Sequence, residues 1–296
     1  MSSERKNTSQ ESRSAGIVRT IIALIVLTAF FGTIGYSFWP QILLGIQGLF
    51  NRDRASDAEP VESRFFDVRN DSSASLSQVR GVLKMMEIDH ESILKFLEKE
   101  HSQPVPVFIK DGSGPAMLDS NGLVLYYDQG VIDTSAVPFF LVFWLEGLSL
   151  GPDNILFAGG FAVYVMEAVN PESEYWGQST DAWVKYFKEK NAYLPLEDAG
   201  QAGLPNDEET SIKFFQALLE GGSLMRWVAE NNGLETARQL ASGMNPEDVL
   251  SKSLDEIETS WFNSIDQNEV VPKPCRMAAG RSFLNVLCDY IDEKNP

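Results

Sequence analysis

The chain has 296 residues, 44% hydrophobic and 22% charged, which is enough apolar content for a sizeable core and too much for a disordered protein. Its 42 acidic residues against 24 basic ones give a formal net charge of −18, which excludes nucleic acid and anionic lipid surfaces as electrostatic partners. With only two histidines and two cysteines, few side chains remain to build a zinc or redox centre.

From Thr20 to Asn51 no residue is charged, and "TIIALIVLTAFFGTIGYSFW" has the length that crosses a ~30 Å hydrocarbon core as a helix. The sequence reads as a cytoplasmic tail over 1–17 and a single transmembrane helix over 18–39, with Tyr36 and Trp39 at the outer aromatic belt. A cleaved signal peptide is the competing reading, against which stand the length of the apolar run and the lack of a small-x-small cleavage site. Arg5, Lys6, Arg13 and Arg19 on the near flank outnumber Arg52 and Arg54 on the far one, so the N-terminus is expected in the cytoplasm and the rest outside. That outer part holds 20 of the 24 basic and 40 of the 42 acidic residues, a net charge near −20.

Residues 40–75 are expected to be a juxtamembrane linker, of which 51–75 are polar and without periodicity and carry an Asn70-Asp71-Ser72 glycosylation acceptor pattern. The main domain is expected over 76–268. It opens with one or two helices in "LSQVRGVLKMMEIDHESILKFLEKEH", whose apolar residues share a face. His90 and His101, eleven residues apart on such a helix, would lie about 16 Å from each other as ordinary surface residues. "VPVFIKD" and "LVLYYDQGVI" read as strands, separated by loop chemistry in "GSGPAMLDSNG". Apolar helices follow at 136–149 and about 154–169, then an aromatic-faced helix in "STDAWVKYFKEKN" and helices near 210–220, 222–231, 233–242, 246–251 and 254–265. Residues 269–296 read as a C-terminal helical extension in which Cys275 and Cys288 pair only if the helix breaks, for example at Gly280 with Ser282 capping a second helix. The fold class is α+β: one transmembrane helix, then a helix-dominated domain with a small β-sheet.

The order strand, helix, turn, "GGFAVYVME", aromatic loop, "AYLPLED", "SIKFFQALLEGGSLMRWVAENNGLE" and "SLDEIETSWFNSI", over about 105–265, resembles the zinc-dependent gluzincin peptidases of the MA type. In that family an H-E-x-x-H helix supplies two zinc-binding imidazoles and the catalytic Glu, and a W-x-x-E-G-x-A-x-Y helix supplies the third ligand. The resemblance puts "LEGLS" at the first motif, with Leu145 and Ser149 in place of the imidazoles and Glu146 in place of the catalytic carboxylate. Gly159 replaces the third ligand, ahead of the matched Gly160, Phe161, Ala162 and Tyr164. A second register places the first motif near Phe140 to Trp144, which also holds no ligand.

These substitutions imply a domain that has lost zinc chemistry, holds no metal or other cofactor, and works as a binding or assembly module for a protein or peptide outside the cytoplasm. The peptide groove of this fold, between the sheet edge and the two apolar helices, is expected to have Leu145, Ser149 and Gly159 on its floor. Tyr164, Trp176 and Trp183 are candidate binding aromatics. The alternative is a metal-independent hydrolase using Glu146, set in apolar "VFWLEGL", with Glu167, Asp128 or Asp133 as carboxylate partners.

Overall fold

The computed structural model describes residues 59–294, apart from 102, 152–153, 172–175, 206 and 279–281. The sheet begins inside the stretch expected to be linker: β1 (Glu59–Val61) runs antiparallel to β2 (Phe66–Asp71). In β2 buried Phe66 and Val68 alternate with exposed Asp67 and Arg69, the two-residue period of a strand with one face on a core. Helix α1 (Leu76–Phe96) crosses over to β3 (Val105–Asp111), which lies parallel to β2. Its start is fixed by a capping box, in which the Ser75 side chain meets the Gln78 backbone and the Gln78 side chain answers to Ser75.

The sheet continues through β5 (Gly122–Asp128), parallel to β3, and ends in β4 (Met117–Asp119), antiparallel to β5. A short β6 (Val131–Ile132) folds back on β5, giving the order β1-β2-β3-β5-β4. Val105, Val107 and Ile109 of β3 are fully buried while Pro106, Phe108 and Lys110 are half-exposed, so β3 turns one face to the core.

The helical part starts with α2 (Val137–Glu146), which has Pro138 in its first turn and ends at Gly147 in the left-handed region, φ 66°. A π-helical turn (Ile155–Gly159) leads into α3 (Gly160–Val169). Then come α4 (Thr180–Glu189), the short α5 (Leu196–Gly200) and the 25-residue α6 (Glu208–Asn232). Helices α7 (Leu234–Ala241), α8 (Pro246–Leu250), α9 (Leu254–Gln267), α10 (Cys275–Ala278) and α11 (Ser282–Lys294) complete the chain.

Helix α6 runs unbroken through Gly221, although separate helices near 210–220 and 222–231 are expected from the sequence. Gly221 and Gly222 are instead where α3 comes closest: a Cβ on Gly160 would stand 2.5 Å from Gly221 Cα and 2.6 Å from its carbonyl oxygen. Gly160 and Gly221 thus allow the two helices to meet backbone to backbone, while Gly159 faces the Leu218 side chain and Gly222 those of Val163 and Thr180.

The α+β domain is as expected, but its pairing with a transmembrane helix is corrected: among the described residues no helix is long and apolar enough to cross a membrane. The run 18–39 that motivated that helix lies outside the described residues, as does the tail 1–17. Cys275 and Cys288 are bonded, with Cα atoms 5.6 Å apart, because they sit on the separate helices α10 and α11.

Candidate functional site

Helix α2 stops at Glu146, so Leu145 lies in its last turn and Ser149 in the exposed loop beyond. They do not share a helical face, as the two ligand positions of an H-E-x-x-H helix must. The second register, Phe140 to Trp144, falls within α2 on half-buried aromatic residues. Gly159 is buried, and a Cβ there would run into the Leu218 side chain of α6. It is a packing glycine rather than part of a groove floor, which corrects that expectation.

Glu146 is clamped rather than free. Its side chain is 7% exposed; Oε2 lies 2.9 Å from Lys99 Nζ and Oε1 lies 3.1 Å from Arg238 Nε. Lys99 also donates to the Leu145 carbonyl at 2.7 Å, and Arg238 donates to the Leu97 carbonyl. The carboxylate therefore ties the turn after α1 to α2 and α7. Asp128 lies in the β5–β6 hairpin, and Asp133 accepts from Ser135 N at 2.8 Å; neither is a partner of Glu146.

Of the three candidate aromatics, Tyr164 lines a cleft. Trp183 is fully buried and stacked on Phe187, with centroids 5.7 Å apart, and its Nε1 donates to the carbonyl of Trp176, itself 5% exposed. Tyr164, on α3, lines an open cleft of about 700 Å³. Glu167 and Ala168 of α3, Ser179 and Ala182 at the start of α4, and Arg226 and Glu230 of α6 form its walls, closed by the extended segment carrying Val270, Val271 and Lys273. Its volume is within the range of ligand pockets.

A polar network holds these walls. Arg226 pairs with Glu167, and its Nη1 lies 3.3 Å from Asp181 Oδ2. Thr180 donates to Glu167 through its backbone at 2.8 Å and its hydroxyl at 2.7 Å. Burial raises the Glu167 carboxyl pKa, opposed by the Arg226 charge and the Thr180 bonds. Tyr164 is likewise pushed up, first by burial and then by Glu230. Deeper in, Ser223 donates to Asp181 Oδ1 at 2.6 Å and accepts from Trp261 Nε1 at 3.1 Å. That hydroxyl is 1% exposed at the residue level and has a fixed donor and acceptor, an interior bond and not a nucleophile.

The segment closing the cleft is anchored along its length. Lys185 Nζ donates to the carbonyls of Asn268 and Val270, and Lys273 N donates to Gln178 Oε1 at 2.8 Å. The Nε2 of Gln178, also at the cleft, is buried with no hydrogen-bond partner. Among the described residues no group of three or more His, Cys, Asp or Glu side chains is placed to hold a metal ion.

Arg226, Glu230, Gln178 and Lys273 were not singled out from sequence. One signal existed: Arg226 stands alone in apolar "SLMRWVA", and Glu167 in "VMEAV", and a lone charge on a buried helix needs an opposite partner. Compared with family models, with curated proteins and with solved structures, the chain finds no match.

Proposed function

We propose that this is a peptidase-like domain, without peptidase chemistry, that serves as a binding or assembly module outside the cytoplasm, and that the cleft between α3, α4 and α6 takes a segment of polypeptide. The observation carrying this reading is the cleft wall itself. Apolar Ala168, Pro171, Val270 and Val271 stand beside a polar network in which the Glu167 and Asp181 carboxylates are already bonded, so the wall offers a fixed shape of mixed apolar and polar character. An extracytoplasmic position is supported by the Cys275–Cys288 disulfide, since such bonds persist in oxidising compartments. The hydrolase alternative is not favoured, because Lys99 and Arg238 occupy both oxygens of Glu146.

Random linear peptides displayed on phage and selected on the purified protein test the reading. Ala168 is exposed on α3 at the cleft, so Ala168→Trp fills the cavity without entering the core. Selected peptides should lose about tenfold or more in affinity for Ala168→Trp, a change of about 1.4 kcal/mol. Selection that yields no binders, or binders indifferent to Ala168→Trp, refutes it.

A further inference from the structure

We infer that His90 and His101, packed on Phe65, form an acid-sensitive latch that fastens the turn after α1. The helix ends at Phe96, Leu97 N donates to the Ile93 carbonyl at 2.8 Å, and Glu98 takes φ 52°, so the chain reverses without a glycine. The reversal brings His101 back over the helix. Its ring centroid lies 5.2 Å from that of His90, with the planes 76° apart. Phe65 sits 4.5 Å from His90 and 5.0 Å from His101, and Phe66 lies 5.5 Å from His90.

His90 is fully buried, and neither of its ring nitrogens has a hydrogen-bond partner; His101 Nδ1 is buried and unpartnered as well. The two imidazoles pack here as aromatic rings. A proton on His90 puts a charge into an aromatic pocket beside a second imidazole. The charged groups around the pair offer little relief. Glu87 of α1 is held by Ser63 Oγ at 2.6 Å, and Asp89 of α1 has its carboxyl pKa raised by burial. From the segment before β2, the Arg64 guanidinium lies 4.7 Å over Phe65 and pairs with Glu91. Burial first, then His101, lowers the His90 pKa from 6.5 to about 4, with Glu87 opposing.

The turn held by this pair is also held by Arg238 at Leu97 and by Glu146 at Lys99. Opening it therefore loosens the tie between α1, α2 and α7. The direction follows from proton linkage. Between pH 6.5 and 4 the unfolded or opened chain binds a proton that the closed His90 refuses, so closure weakens as pH falls and is unaffected above that window. The two values imply a loss of about 30-fold in the closed-to-open ratio at pH 5.

The experiment is hydrogen exchange of the purified protein at pH 7 and pH 5, corrected for intrinsic rates, for wild type and His90→Phe, which keeps an aromatic ring and removes the titration. Wild type should lose protection in residues 97–101 at pH 5 by roughly the factor above, and His90→Phe should not. Should His90→Phe fail to fold, nitrogen-15 NMR of the wild-type histidine rings decides the matter, with the ring of His90 expected to titrate below pH 5. Equal loss of protection in both proteins, or a His90 ring titrating near 6.5 in the folded state, overturns the inference.

Discussion

Adding a methyl group at the contact between α3 and α6 tests how the helical half is built. In Gly160→Ala the new Cβ would face the Gly221 carbonyl carbon and lie 2.5 Å from its Cα, where carbon atoms normally stay about 3.5–4.0 Å apart. The obstructing atoms are backbone, so no rotamer change relieves them and the helices must separate by about 1 Å. Overpacking of this kind costs up to about 3 kcal/mol, and the better helix propensity of Ala returns about 1 kcal/mol. The net loss of about 2 kcal/mol should lower the melting temperature by about 4–8 °C for a domain of this size. The control is Gly81→Ala in exposed α1, where nothing lies within 4 Å; the same chemical change should there stabilise by about 0.5–1 kcal/mol. Calorimetry of the two variants reads opposite signs, and a Gly160→Ala protein that melts at or above the wild-type temperature would falsify the close-contact account.

Three further outcomes are expected. Glu220 is fully buried, its Oε1 accepts from Leu194 N and from Gln216 while Oε2 has no partner, and burial raises its pKa to about 8. The folded state then holds a proton that the unfolded chain releases above about 4.5, so stability falls as pH rises from 4.5 to 8, and Glu220→Gln should flatten that slope in denaturant titrations. Glu146→Gln should cost about 1–3 kcal/mol in urea unfolding, because Lys99 and Arg238 lose a common counter-charge, while peptide selection at the cleft stays unchanged. Reducing the Cys275–Cys288 bond, which links residues 13 apart, should cost about 3 kcal/mol, read as a lower urea midpoint; an unmoved midpoint would contradict a structural role.

Much of the fold was legible where a local pattern had one interpretation. "VPVFIKD" is β3 to the residue, and the Ser and Asn caps at 253 and 245 start α9 and α8 as their chemistry requires. Elsewhere the same residue type had two meanings. Gly221 reads locally as a break, but with α3 in place it is a point of close approach, which only the tertiary partner reveals. "FDVRND" alternates as a strand does, yet among charged and Ser-rich neighbours it was read as linker. The histidine pair was hidden because the reversal occurs at Glu98, a residue with no preference for positive φ, so a continuous helix kept the rings 16 Å apart on paper. At the site, Tyr164 was found through the resemblance. The ion pairs of Arg226 join residues 45 and 59 positions apart, a separation that no motif spacing encodes.

The segment from Asn268 to Pro274 has a thermodynamic consequence. It hangs between the end of α9 and a disulfide-bonded cysteine, with Lys185 and Gln178 fixing its middle. A free loop lining a cleft would have to surrender its backbone freedom to each partner it met, at about 1–2 kcal/mol per residue. Here that freedom is already lost on folding, so a partner meeting Val270 and Val271 finds a wall that needs no ordering. The same wiring makes the cleft depend on remote sequence: a fragment ending before Cys288 keeps every residue that lines the cleft and loses the covalent tether of one wall.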